Sequence, residues 1–382
     1  MRRFMRNLGL SMLVGVALLC GPGVWALESL AWSADGFGVA HPLTGGQVRN
    51  VADRALWTWG GADNAPQIKS SVPSVESPQP SLDPYMWWNT PREVRVLRLF
   101  ADWDWGGYIT SICVDTLTPG GDPANPSSWV QRYDSSAYGD LAAVLIHGVD
   151  LGQVYTTEGV RVRVTYGPRR TDDRRSLAEV EVFGDIGGTL ESQKVLPNSW
   201  AASSNHPNAG VNGLAGTARW VSLTIADNTA LGHDFFFVDR HFNIPTDLNL
   251  LSIAWRGTAD SSVPRVVPEY WMVQYKTEDS AGWLDAGTFL AESNINGGTA
   301  QWYYNDLGDL TGVTDLRIVV PYDAFPTIYD ETLDMDVPNP NYGLVIHMTE
   351  TFNIHIPPIV PEPATMSLLV LGGLALLRRR GR

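Results

Sequence analysis

The stretch DWDWGG sets two carboxylates, Asp102 and Asp104, on either side of Trp103, with Trp105 close behind. Two carboxylates held about 5 to 10 Å apart can hydrolyse a glycosidic bond. Residues two apart in a Gly-rich loop rarely take that spacing, and the same residues suit holding a sugar. A pyranose C–H face stacks on an indole while carboxylates accept its hydroxyl protons. Asp102, Trp103, Asp104 and Trp105, together with Trp87 and Trp88, are the candidate ligand-binding residues. Trp57 and Trp59, at i and i+2, share one face of a strand and read as core. Core packing is the competing role for every one of these rings.

Other chemistries find little support. The sequence has no H-E-x-x-H, no G-x-x-x-x-G-K-[ST] and no G-x-S-x-G, and its seven histidines are scattered. His233 and His241, at even spacing, fall on one face of an expected strand, and His347 and His355 do likewise. Nothing requires a cofactor, and no catalytic residue is assigned. Asp35, Asp53, Asp63, Asp102 and Asp104 offer hard oxygen ligands for a structural calcium ion, although no EF-hand-like loop organises them and solvated acidic loops are the competing reading.

The elements that must position these residues are strands. Gly (37) and Pro (25) are plentiful, Trp is used 15 times, and charged residues make up only 18% of the chain, a composition of many turns and few helices. EVRVLRLFADW (93–103), GVRVRVTYG (159–167) and SLAEVEVFG (176–184) alternate with period two. So do DFFFVDRHFNIP (234–245), LNLLSIAWRG (248–257), EYWMVQYKT (269–277), TDLRIVVP (314–321) and NYGLVIHMTETFNIHI (341–356). No amphipathic helical segment separates them, which predicts an all-β chain of two β-sandwiches, at 27–188 and 198–356, with 189–197 as linker. The segments WSADGFGVAHP and WAASSNHPNAG open the halves in a loosely similar way, without a strict repeat. Cys113, in the alternating run YITSICVDT, is expected as a small buried apolar residue.

The two ends are different. Arg2, Arg3 and Arg6, the apolar run 8–19 and a Val-Trp-Ala triplet ending at Ala26 predict a signal peptide over 1–26, read by the Sec translocon and signal peptidase. Its loss leaves Cys113 without an intrachain partner. At the other end, 357–382, the order is Pro361, Glu362, Pro363, then the apolar run 364–377, then the basic tail 378–382. That run is short for a transmembrane helix, which needs about 20 residues, and the arginines put its end on the cytoplasmic side. Without these ends, seven arginines and Glu362 are lost and the formal charge moves from −14 to about −20. So acidic a surface repels nucleic acid.

Three resemblances follow from these motifs. The PEP triplet, apolar run and RRRGR terminus closely resemble the PEP-CTERM sorting signal, which implies processing by exosortase at Pro361, Glu362 and Pro363. WWNTPREVRVLRLFADWDWGGYITSICVDTLTPGG, SSWVQRYD and GVRVRVTYGPRRTDDRRSLAEVEVFG resemble the discoidin, or coagulation factor 5/8 type C, domain. That likeness implies a jelly roll with ligand loops at one end and binding rather than catalysis. The second half resembles galactose-binding-like sandwiches but lacks the D-D-x-x-x-x-x-L-N-G signature after Asp260. The combined expectation is a non-enzymatic protein held transiently in the inner membrane, cytoplasmic at its C-terminus, then delivered to the cell surface or extracellular matrix, where it binds polysaccharide. A purely structural matrix protein and a polysaccharide hydrolase are the alternatives.

Overall fold

The computed structural model describes residues 27–40, 55–58, 68–71, 82–101, 109–138, 141, 146–166, 174–204, 220–256, 266–291 and 299–354. Residues 1–26, Asp53, Trp59, Asp63, the DWDWGG stretch, His355 and residues 357–382 all lie outside them. No helix among the described residues is long and apolar enough to cross a membrane.

The chain is all-β. Its first half forms β1 (Gly36–Val39), β2 (Ala55–Thr58), β3 (Ile68–Ser71), β4 (Pro84–Ala101), β5 (Ile109–Leu117), β6 (Trp129–Asp134), β7 (Ile146–Tyr166) and β8 (Arg174–Phe183). The second half forms β9 (Lys194–Val195), β10 (Ser199–Ala202), β11 (Trp220–Val221), β12 (Phe235–Arg256), β13 (Tyr270–Thr277), β14 (Leu284–Leu290) and β15 (Thr299–Pro321), a hairpin of β16 (Thr327–Asp330) and β17 (Met335–Pro338), and β18 (Val345–Phe352). One sheet runs β3-β8-β4-β7-β5-β6 with β1 added on β4, and the other runs β11-β18-β12-β15-β13-β14 with β10 added on β12. β2 crosses from the first half of the chain to pair with β15 in the second sheet.

Each sheet makes a sandwich because its two longest strands serve both layers. In β4 the register with β7 breaks between Trp87 and Arg92 and again between Val94 and Val96, and such bulges bend a strand. Residues before the break pair with β1 and the end of β7 in a front layer, and residues after it pair with β8 and the start of β7 in a back layer. Met86, Ile112, Val114, Val160 and Val162 from the front close on Leu97, Leu99, Val149, Val180 and Val182 from the back as one core. β12 and β15 repeat the device, with register breaks between His241 and Leu250.

The two strand orders are the same once corresponding strands are matched: β4 with β12, β5 with β13, β6 with β14, β7 with β15, β8 with β18 and β1 with β10. The halves are therefore repeats in topology, although the sequence offers only the loosely matched openings.

The sandwiches dock through their back layers. Val96, Arg98 and Phe100 of β4, and Glu179, Glu181 and Phe183 of β8, point away from the first core, yet all are buried. Leu250, Ala254, Trp302, Tyr304, Met348 and Phe352 of the second sandwich pack against this face. The Phe100 ring meets Trp302 edge-on at 5.8 Å, and Phe183 meets Tyr304 at 6.2 Å. The stretch expected as a linker is part of the contact. Leu190 is buried within it, the Glu191 carboxylate accepts from Arg98 at 2.6 Å, and β9 pairs with β18.

Candidate aromatic cleft on the first sandwich

On the outer face of the front layer, β4 presents Tyr85 and Trp87 while Met86 and Trp88 point inward. Pairing sets Gly38 beside Tyr85 and Gly36 beside Trp87. The alternating glycines of GFGV are what let the rings lie down on β1. A Cβ on Gly36 would stand 2.0 Å from the Trp87 ring, and one on Gly38 would stand 2.2 Å from the Tyr85 ring. The two rings lie 5.9 Å apart, and Tyr85 is 5.5 Å from Trp129 at the start of β6. Gly159 of β7, opposite Trp87, leaves room between Leu117 and Trp129, whose nearest atoms would sit 3.2 Å from an added Cβ.

The loop 118–128 rises at the edge of this platform and closes a cleft of about 420 Å³, lined by Tyr85, Trp87, Asn89, Leu117, Asp122 and Glu158 among others. The loop is held by its own polar contacts. Gly120, at φ 66°, donates its N–H to Glu158 at 3.0 Å, and Asp122 accepts from the Ala124 N–H at 2.9 Å. A positive φ favours glycine there. Trp129 donates its indole N–H to the Pro123 carbonyl at 3.1 Å, which pins the loop to the sheet. Asp35 accepts from the Asn89 N–H at 2.7 Å and steadies the opposite rim.

The cleft leans acidic. Arg161 stands over the Trp129 ring at 5.2 Å, but Asp115, itself buried, binds Arg161 at 2.7 Å and Arg163 at 2.8 Å. Burial, followed by the nearby Asp122 and Asp83 carboxylates, raises the Tyr85 hydroxyl above its ordinary value, so it stays a proton donor at neutral pH. A volume of this size with half-buried rings, hydroxyl, amide and carboxylate groups can stack a sugar ring and hydrogen-bond its edge.

The structure divides the residues singled out from sequence. Trp87 lies in the cleft, half-exposed. Trp88 is 2% exposed, belongs to the core and donates its indole N–H to the Leu30 carbonyl at 3.0 Å, and it also lines the floor of the cleft. Asp102, Trp103, Asp104 and Trp105 lie outside the described residues and precede Ile109, whereas the cleft sits by Leu117 at the other end of β5. Tyr85, Asp122 and Glu158 were missed by sequence reasoning. The run PYMWW carried a signal for Tyr85, since it shares a strand face with Trp87.

Two further expectations change. Cys113 is half-exposed and faces Arg163 and Asp134, because Ile112 and Val114 take the core side of β5. His233 precedes β12 and packs edge-on against Phe237 at 5.4 Å, while His241 lies on the strand and pairs with Asp315 at 2.9 Å. Among the described residues, no three His, Cys, Asp or Glu side chains gather as a metal site.

The sequence matches no protein-family profile and no curated protein. Among solved structures, it is similar to the CBM32-1 and CBM32-2 domains of Clostridium perfringens ZmpB at 8% identity, over 84% of this chain and 93% of that one, with a TM-score of 0.31. It is also similar to the family 32 CBM of C. perfringens NanJ in complex with galactose, at 11% identity over 41% and 97% of the two chains, TM-score 0.29. An allantoicase aligns over 85% of this chain and 93% of its own at 9% identity, TM-score 0.30. Scores this low carry no argument about ligand or reaction.

Proposed function

We propose that this chain is an exported protein, sorted through Pro361, Glu362 and Pro363 by exosortase, that holds extracellular polysaccharide without cleaving it. The observation that carries the binding reading is the cleft beneath loop 118–128, where Tyr85 and Trp87 lie beside Asp122, Glu158 and Asn89. Rings half-sunk in a rigid sheet lose little freedom on stacking, which favours a weak ligand such as a sugar. Sorting rests on the order of the C-terminal motif and the signal-like N-terminus. Delivery to the surface or matrix brings the cleft to its ligand.

The test is retention of the full-length protein, purified in detergent, on beads carrying exopolysaccharide from the producing cells. Wild type should be retained, Trp87→Ala should lose retention about ten-fold, and the polymer should show no new reducing ends. Absence of retention sinks the binding reading. Full retention by Trp87→Ala, with loss in a Trp103→Ala/Trp105→Ala variant, moves the site to the DWDWGG segment.

A further inference from the structure

The repeat puts Asp239 and His241 where the first cleft has Tyr85 and Trp87, but it keeps the arginine–tryptophan pair beside them, and the second front face draws further rings from Phe235 and Phe237. Across the front layer of the first sandwich the paired residues run Gly38, Tyr85, Arg161, Asp115 and Gln131. The corresponding row of the second runs Ala201, Asp239, Arg317, Gln274 and Asp285. Arg317 thus occupies the place of Arg161. Trp283 sits immediately before β14 in the place of Trp129, and each arginine stands over its tryptophan, Arg161 at 5.2 Å and Arg317 at 4.1 Å.

The surroundings differ in one way that matters. In the first sandwich the long connection 118–128 covers Trp129, which is 8% exposed. In the second, the shorter connection 278–283 leaves Trp283 half-exposed. A strip of half-exposed groups then runs Phe235, Phe237, Arg317, Trp283 and Lys276. Phe235 and Phe237 are 6.0 Å apart, Arg317 is 4.4 Å from the Phe237 ring, and Lys276 lies 4.5 Å from the Trp283 ring. The polar groups beside the rings are pre-set, with Arg317 held by Asp239 at 2.6 and 2.7 Å and Gln274 donating to Asp285 at 3.0 Å. Rings framed by fixed donors and acceptors suit a pyranose chain lying across the sheet. The paired charges make the strip nearly neutral, which a protein or membrane partner chosen by charge would not favour.

The docking decides where this strip points. The sandwiches meet through their back layers, so their front layers face away from each other. We infer that the Phe237–Arg317–Trp283 strip is a second polysaccharide-stacking platform, and that the protein bridges two polysaccharide chains held on opposite sides of one body. The inference rests on the binding reading above, and it extends binding to the half of the chain whose sequence lacks the expected ligand signature.

The experiment uses the monomeric fraction of the full-length protein in detergent. Protein is first bound to exopolysaccharide beads, and after washing, the same polymer carrying fluorescein is added. Wild type should capture labelled polymer. Trp283→Ala and Phe237→Ala should each stay on the beads but capture about ten-fold less label, the loss expected when a stacking contact worth about 1.4 kcal/mol is removed. Unchanged thermal melting excludes misfolding as the cause, and Phe237→Tyr, which keeps the ring, should retain capture. Label capture by both alanine variants at the wild-type level overturns bridging while leaving the cleft intact. Failure of wild type to bind the beads overturns the cleft and the bridge together.

Discussion

Glu181 and Glu350 occupy matching positions in the two sandwiches and meet on a single guanidinium, that of Arg98. Arg98 pairs with Glu181 across β4 and β8, as Ser252 pairs with Glu350 across β12 and β18. Arg98 lies 4.0 Å from Glu181 and 2.5 Å from Glu350, and all three side chains are buried. A serine stands where a second arginine would otherwise crowd the junction, so one guanidinium lies beside both glutamates as well as Glu191.

Removing that cation should loosen the docking more than it harms either core. Burial works against the Arg98 charge, but Glu350, Tyr304, Glu191 and Glu181 outweigh it and raise its value further. Arg98→Met would remove one of the two ion-pair partners of buried Glu350 and leave Lys194 as the other. Breaking a buried pair from one side costs about 3 to 5 kcal/mol. In chemical denaturation, Arg98→Met is expected to lower the unfolding free energy by that amount, and the midpoint with it, or to split the transition in two, and adding Glu350→Gln should recover part of the loss. A single transition with an unchanged midpoint would show that the junction does not hold the sandwiches together.

The same junction gives stability a pH dependence with a definite sign. Burial pushes the Glu181 carboxyl up to about 8 despite Arg98 and the Tyr304 hydroxyl that donates to it at 2.6 Å. Between its ordinary value of 4.5 and about 8, the folded chain holds a proton that the unfolded chain has released. The contribution is full below 4.5 and declines toward pH 8, by at most about 1.4 kcal/mol per pH unit. Burial opposes the Glu350 charge too, but Arg98 and Lys194 outweigh it and lower its value, so its contribution is lost on acidification below 4.5. Melting temperature should therefore fall from pH 5 to 8 in wild type and stay nearly level in Glu181→Gln. A wild-type melting temperature that rises over that range contradicts the assignment.

How far the sequence reached is clearest in VRVLRLF. Its alternation located β4 but left the burial of Arg98 unread, because period two says which residues share a face and not what covers that face. Only the second sandwich, more than a hundred residues on, supplies the cover. The repeat was hidden for a related reason. Matching positions such as Trp129 and Trp283, or Glu181 and Glu350, are set by strand pairing, while the residues between them differ. In the cleft, Trp87 was legible, but Asp122 and Glu158 come from separate connections that only the fold brings beside it.

Sorting makes a prediction that needs no structure. The PEP triplet is the one polar break before the apolar run, and Glu362 is its only charge. Glu362→Ala should accumulate as an unprocessed, membrane-associated form, seen as a larger band in the membrane fraction. Normal processing and release of that variant would reject exosortase as the partner.

The glycines of β1 make the sharpest test of how the cleft is built. Trp87 lies on the backbone of β1 only because Gly36 has no side chain, and an added methyl would fall inside its ring. Gly36→Ala should therefore lift the indole, at a cost of about 1 to 3 kcal/mol for overpacking, and weaken polysaccharide retention. The loss should depend on the ring. In a double-mutant cycle, Gly36→Ala should add little to Trp87→Ala, since residues acting through one contact are not additive. Retention measured for the four proteins decides the matter. If Gly36→Ala weakens binding equally with and without Trp87, the glycine acts elsewhere and the ring is not the surface on which the sugar rests.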